Sequence, residues 1–524
     1  MPSTADLRSG DLADGDKPLP LSSKSRHRPP QRGPSLLTLG ARMKGNLLAM
    51  STATSPSATG AVTTPRTATT PGRRPGLAPG SVPVLGHLPM ILRSRFEFIE
   101  TVRNAGPVTR VKLGPKTAYF VNDYELLAQI LVSDADKFVR GIHFKKMRNM
   151  VGNGVVTTSG DLHRRQRRIM LPSFSQRRLA MHLPVMRKIM SEFVAAVPER
   201  QPYDLMGPVM GVGCDIVTST MLGEKTPPEV LRLVREAVPV FVENAAIQAV
   251  DVTGIYKHLP TKSNRDFERL LNAFNEYMYS VIDDKFRNGA GEEAGLLDML
   301  INATDPETGE KFDRTEVRDQ AATILLASTE TTANTISWAC YELARHPRIF
   351  AECRAEIDAL VKDRDWTDTE IGRHDLPALK RVLFEALRMY PSSYLLSRQA
   401  SVDTTLGGYA IPKDAAILYS HYGQQRDERN FPHGDEFDPD RWLDKDGAEV
   451  TASAFMPFGF GAYRCLGESV AVLEATYCLA MMIHQWDFAL SDYSEPKMNA
   501  TITLSPKDLE FLFTKRTESG AHDE

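Results

Sequence analysis

Five cysteines stand in this chain of 524 residues, at 214, 340, 353, 465 and 478, and one has surroundings that suit chemistry. Cys465 lies in FMPFGFGAYRCLGESVAVLEATYCLAMM, where Gly459, Gly461 and Gly467 let the backbone turn sharply and approach a flat, bulky group closely. The residues after it run as an apolar-periodic helix. Its sulfur therefore falls at a helix N-terminus, where the dipole and free N–H groups favour a thiolate. Such a thiolate suits a metal ligand or a nucleophile. Alone it cannot build a tetrahedral zinc site, and no CxxC or HExxH partner occurs elsewhere.

Other candidate groups come in short motifs. FEALR places Glu385 and Arg388 at i and i+3, on one helix face, and FDPDRW supplies Arg441. ASTETT puts Glu330 and Thr331 in mid-helix, where polar residues cost stability unless they are used. SGDLHRRQRRIM carries His163 and Arg167, and LLSRQAS carries Arg398. Taken bare, these read as a surface ion pair, a helix kink and a solvated basic face.

The elements that must position these groups are mostly helical. The longest pattern opens at Asp313, runs through RTEVRDQAATILLASTETTANTISWACYELAR and stops at His346 before Pro347. At ~1.5 Å per residue it spans roughly 50 Å, a whole domain diameter. DLPALKRVLFEALRMYP predicts a second helix, opened by Asp375 and closed by Pro391. VTRVKLGPKTAYFVND reads as a hairpin around Gly-Pro, and LGGYAIPKDAAILYS as strands with a Gly-Gly turn. RPGLAPGSVPVLGHL is a Pro/Gly-spaced, extended lead-in. The expected class is mainly α with a minor β-sheet region.

Residues 1–76 are a different material. They hold 11 Lys or Arg against 4 Asp and no Glu, a charge of +7, and 10 of the 34 prolines. Such Pro/Ser/Thr-rich sequence reads as a disordered extension. Within it, SLLTLGARMKGNLLAM (35–50) is mildly amphipathic and basic, fit to touch an anionic membrane. Residues 77–524 carry −10, which argues against a nucleic-acid binder. No stretch reaches the ~18 apolar residues of a membrane span. Few, scattered cysteines make a reducing cytoplasm the expected location.

The motifs, in this order, resemble the cytochrome P-450 haem-thiolate monooxygenases over about residues 77–520. The family's cysteine-loop pattern, Phe-x-x-Gly-x-(Arg/His)-x-Cys-x-Gly, is met by Phe458, Gly461, Cys465 and Gly467. Tyr463 departs from it in the Arg/His slot, which in the family bonds a haem propionate; a hydroxyl can still donate there. The resemblance implies one large P-450 fold, with haem b held by Cys465 as the iron ligand and O2 as co-substrate. It implies propionate contacts from His163, Arg167 and Arg398. Glu385, Arg388 and Arg441 would form a buried structural network, and Glu330 with Thr331 would relay protons beside the haem. Ser328 replaces the family's glycine in this helix; a serine can bond back to an earlier carbonyl and bend it.

The implied reaction inserts one oxygen atom of O2 into a C–H bond of an apolar small molecule. Electrons would come from a separate ferredoxin and an NAD(P)H-dependent ferredoxin reductase, since only about sixty residues follow Cys465. Arg164, Arg165 and Arg168 offer a docking patch for an acidic redox partner. The substrate pocket would draw on 138–155, the helices between 200 and 260, Ala327, the turn holding Tyr394 and Leu395, and 501–504. LHRRQRR, EFDPDRW and GYAIP resemble actinobacterial enzymes that oxidise sesquiterpenes. Fatty acids, polyketides and steroids are alternative substrates. A thiolate-haem isomerase, dehydratase or peroxide user is one rival class, and the acid-threonine pair counts against it; a non-catalytic haem-binding or scaffold protein, to which Ser328 and Tyr463 point, is the second.

Overall fold

The structure, a computed structural model, describes residues 72–516 apart from 224–225, 252–253, 292–294, 363–364, 367–368, 373–374, 444–453 and 492–494. The extension read from composition lies, through residue 71, outside the described residues, as does its amphipathic stretch. The chain joins the fold at Arg73. Its N–H donates to the Gly408 carbonyl at 3.0 Å, and its carbonyl accepts from the Ala410 N–H at 3.1 Å.

Helices dominate, and six position the site: α1 Gly160–Met170, α2 Met206–Leu222, α3 Arg314–Arg345, α4 Pro347–Val361, α5 Pro377–Met389 and α6 Glu468–Gln485. The long helix forms where its signals predict. Asp313 accepts from the Glu316 N–H at 2.8 Å while the Glu316 carboxylate accepts from the Asp313 N–H at 3.1 Å, a reciprocal cap. The helix ends at Arg345, and after His346 Pro347 opens α4. α3 is buried on nearly all sides, not on one stripe. α2 lies close against it because Gly213 has no side chain; a Cβ there would stand 3.4 Å from the Thr329 Cα.

The start of α5 differs from the expectation. Asp375 does not cap it. Its carboxylate accepts from the Gly372 N–H at 2.7 Å, and the residue before the helix is Leu376, in the left-handed region at φ +54°. The free Ala378 N–H is taken instead by Glu356 of α4, at 2.9 and 3.1 Å. Pro377 has no N–H to satisfy, so one long-range carboxylate does the work of a local cap.

Five strands form the main sheet: β1 Val108–Leu113, β2 Lys116–Val121, β3 Phe138–Arg140, β4 Leu395–Ala400 and β5 Ala416–Ser420, in the order β1-β2-β5-β4-β3. The predicted hairpin is β1–β2, paired Val108↔Val121 through Leu113↔Lys116. The antiparallel pairing of β3 with β4 sets Arg140 directly opposite Arg398. Two arginines at one register position repel each other. Nothing in the fold of the strands requires them.

Candidate functional site

Cys465 stands at the wall of a cavity of about 1040 Å³. The loop that holds it is shaped by its own backbone: the Cys465 N–H donates to the Phe458 carbonyl at 2.8 Å, and Gly459 and Gly461 sit at φ +74° and +62°. Gly461 has a different reason to be glycine from the one expected. A Cβ there would fall 2.1 Å from the Leu131 carbonyl oxygen, so the close approach is to the chain itself. Gly467 is the residue before α6. Cys214, Cys340, Cys353 and Cys478 are buried, whereas the Cys465 side chain is open toward the cavity. Surrounding chain still raises its thiol pKa by desolvation. The Gly467 backbone, Arg167 and Arg464 pull the other way. The helix end alone therefore does not make the thiolate; a bound metal would.

Across the cavity wall lies a cluster of buried positive charge. Arg140, Arg167, Arg398 and His163 all line the space. Tyr463 sits among them, with the Arg140 and Arg398 guanidiniums 4.5 and 4.7 Å from its ring centre and the His163 ring at 4.5 Å. Arg167 donates to the Arg464 carbonyl at 2.5 Å and Arg398 to its neighbour Ser397 at 3.0 Å. Among the described residues none of the three arginines has a carboxylate partner, and the Nε atoms of Arg140 and Arg398 are buried without any hydrogen bond. Burial and the facing Arg398 push the Arg140 pKa down to about 9. Burial and the same arginines hold His163 neutral, at about 3. Buried charges without counter-charges cost several kcal/mol each. A ligand with acidic groups resolves that cost, and a dicarboxylate macrocycle held by one thiolate fits this donor set.

α3 forms another wall. Ala327 is exposed in the middle of a buried helix, so it faces the cavity. Ser328 reaches back to the Leu325 carbonyl at 3.5 Å, three residues earlier, and Thr331 donates to the Ala327 carbonyl at 2.8 Å. The helix nevertheless runs unbroken across ASTETT. Glu330 is 8% exposed, and burial raises its carboxyl pKa, with Thr503 easing the shift. The Thr331 carbonyl accepts from Ser392 at 3.1 Å, tying α3 to the turn after α5. Tyr394 and Leu395 follow on that turn and line the cavity, as do parts of 138–155, the 206–250 helices and 501–503. The lining is mostly apolar, with Arg95, Lys116 and Lys146 at its edge.

Glu385 and Arg388, which share a helix face, come together with Arg441, as the resemblance implies. Arg388 donates twice to Glu385, at 3.0 and 2.8 Å, and to the carbonyls of Gln425, Gly434 and Glu436 at 2.6–2.9 Å. Arg441 reaches Glu385 at 2.8 Å. Trp442 adds an indole N–H to the same carboxylate at 3.0 Å. Gln425 connects this network to the cysteine loop: its amide donates to the Arg388 carbonyl at 2.9 Å, and its oxygen accepts from the Met456 N–H at 3.0 Å.

The expected docking patch on α1 is not a free patch. Arg165 pairs with Glu310 and Glu316 at 2.8 and 2.7 Å, Arg168 with Asp305 and Glu307 at 2.7 and 3.2 Å, and Arg164 with Asp161. Asp305, Glu307 and Glu310 come from a loop distant in sequence and Glu316 from α3, which a local reading of the basic run does not see. Sequence reasoning also missed Arg140, Ser392 and Glu474. The last is a buried α6 carboxyl on the cavity wall, whose pKa desolvation alone raises to about 8.

Comparison with known proteins agrees with this geometry. The chain is 33% identical over 410 residues to "Cyclooctatin synthase" of Streptomyces melanosporofaciens, covering 78% of this chain and 89% of that protein. It is 31% identical to "Pentalenene oxygenase" of Streptomyces avermitilis, over 84% and 98%. The haem domain of cytochrome P450DA superposes with a TM-score of 0.74 at 23% identity, over 86% and 99%, a likeness of fold. The family model for cytochrome P450 matches residues 75–513. With a cysteine facing a large apolar chamber, an acid-free arginine cluster beside it and that match across the fold, the chain belongs to the cytochrome P450 family.

Proposed function

We propose that this cytochrome P450 holds haem b through Cys465 and uses O2 to hydroxylate a terpene, with a sesquiterpene hydrocarbon as the leading substrate class. The observation that carries the reading is the shared chamber: one accessible thiol and three unpaired arginines on its walls, with Glu330 and Thr331 on α3 opposite an apolar lining. At about 1040 Å³ it lies at the upper end of ligand pockets, as cofactor and substrate in one space require. The names of the two Streptomyces relatives support a terpene. When bound, haem with a thiolate ligand supplies oxygen activation.

The chain's residues do the rest. Cys465 fixes the iron side, and Arg140, Arg167, Arg398 and Tyr463 set the orientation of the acidic edge. Neutral His163 adds a hydrogen-bonding ring without further charge. Glu330, whose carboxyl pKa is raised by burial, is placed to hold a proton and pass it on. Thr331 offers its hydroxyl to that transfer once it leaves the Ala327 carbonyl. The apolar walls exclude water and choose the carbon presented. Electrons come from a ferredoxin and an NAD(P)H-dependent ferredoxin reductase in the cytoplasm.

The test begins with the reduced carbon monoxide difference spectrum, where the thiolate band should appear and Cys465→Ser should abolish it. Turnover with ferredoxin, reductase and O2 on a panel of terpenes, fatty acids, polyketides and steroids then fixes the class. Thr331→Ala should consume reductant with little product. Product formed without any electron source would overturn the monooxygenase reading.

A further inference from the structure

Resting on the haem reading above, we propose that Tyr463 is a positioning residue for the haem-binding arginines. Its ring, not its hydroxyl, is what this place in the cysteine loop uses, and a cation put there would loosen the cofactor. The family's pattern has Arg or His at this slot. Arg464, one place later, is the obvious substitute in the loop, yet it is already spent. Its guanidinium donates twice to Glu468 of α6, at 2.6 and 2.7 Å, so the chain itself neutralises it. The missing cation comes from elsewhere. Arg140, at the end of the three-residue β3, joins Arg167 and Arg398 on the cavity wall. Among the described residues none of these three has a carboxylate partner.

The arrival of Arg140 sets a packing problem. β3 pairs with β4 so that Arg140 and Arg398 take opposing positions, where like charges destabilise a sheet. Tyr463 relieves it. The two guanidiniums lie 4.5 and 4.7 Å from its ring centre, inside the roughly 6 Å over which the negative face of an aromatic ring attracts a cation. Each guanidinium has a second ring as well: Phe144 at 4.5 Å from Arg140, and Tyr419 at 5.6 Å from Arg398. Tyr463 is the ring that both arginines share. His163 packs against it, 4.5 Å between ring centres, and confines it.

An electron-rich ring thus holds two like charges near each other without a carboxylate, which keeps both open to an acidic ligand. A carboxylate in the same place would satisfy them and close the site. A fourth cation would stand among three others facing the two acid groups of haem, and the surplus charge would have no counter-charge.

The experiment is haem transfer from the haem-loaded chain to excess apomyoglobin, followed at the Soret band. Each variant is first shown to give the thiolate band with reduced carbon monoxide. Tyr463→Leu removes the ring face and should lose haem about tenfold faster than the wild type. Tyr463→Phe returns the face without the hydroxyl and should restore most of the retention. Tyr463→Arg should lose haem about tenfold faster too. Arg140→Gln added to Tyr463→Arg should bring the rate back toward wild type, although Arg140→Gln on its own should weaken retention. A loop that was merely distorted would not be rescued from β3. Haem loss from Tyr463→Phe as fast as from Tyr463→Leu would give the role to the hydroxyl and overturn the proposal. Tighter haem in Tyr463→Arg, or no rescue by Arg140→Gln, would overturn it equally. A wild type without the thiolate band would instead sink the haem reading, and this inference with it.

Discussion

Two arginine clusters of the protein are treated in opposite ways. Arg388 has 0% exposure and gives its donors to Glu385 and three backbone carbonyls, with Arg441 and Trp442 completing the carboxylate. Arg140 and Arg398, each with a buried Nε that makes no hydrogen bond, stand opposite each other across a strand pair, and neither has a carboxylate partner among the described residues. The first cluster is finished by the chain and therefore structural. The second is unfinished, and what completes it must come from outside. The same side chain thus reads as scaffold or as binding site according to whether the fold supplies its counter-charge.

Substitutions sharpen that contrast. Arg388→Ala leaves the buried Glu385 with only Arg441 and Trp442 and strips three backbone carbonyls of their donor, so it should cost about 3–5 kcal/mol in urea unfolding of the haem-free protein, enough to lose the native state. Glu474 is a third case, a buried carboxyl with no bond to it among the described residues. Its folded pKa, about 8, lies above the unfolded value. Protonation therefore stabilises the fold at low pH, and that stability is lost as pH rises from the ordinary carboxyl range to about 8. Glu474→Gln should flatten this slope, gaining roughly 1.4 kcal/mol at pH 8 for each unit between the two pKa values. Equal pH profiles for the two proteins would refute it.

Arg398→Gln should act in the opposite sense to Arg388→Ala. It relieves repulsion with Arg140, so the haem-free protein should be no less stable. Haem affinity should drop about ten- to a hundredfold, the worth of a charged hydrogen bond. The dimethyl ester of the porphyrin should bind the wild type equally poorly and lose the difference between variants. A haem-free protein destabilised by Arg398→Gln would erase the distinction. The smallest effect belongs to the exposed Arg164–Asp161 pair: Arg164→Ala should change stability by less than about 1 kcal/mol and leave haem binding alone.

Legibility followed distance along the chain. Glu385 with Arg388 and His163 with Arg167 share single helices at i+3 and i+4, so spacing alone put each pair on one face, while Glu330 and Thr331 are neighbours within ASTETT. The long α3 announced itself through Asp313, Glu316 and Pro347. Arg140 gave no signal because it lies on a three-residue strand and gains meaning only opposite Arg398. Glu356 caps α5 from another helix, and Gln425 links two loops; neither forms a local pattern. The basic run on α1 misled for the same reason, since Asp305, Glu307 and Glu310 arrive from a distant loop.

The glycine at 461 has a consequence for how the molecule assembles. Its bare Cα lets the cysteine loop seat against the Leu131 carbonyl, far back in the sequence. The loop cannot take its shape until chain from both ends has met, and contacts between such distant residues form late because closing the intervening chain is entropically slow. The Cys465 sulfur is thus among the last parts to be set in place. A nascent chain released before that seam closes would carry a complete set of motifs and no pocket to use them.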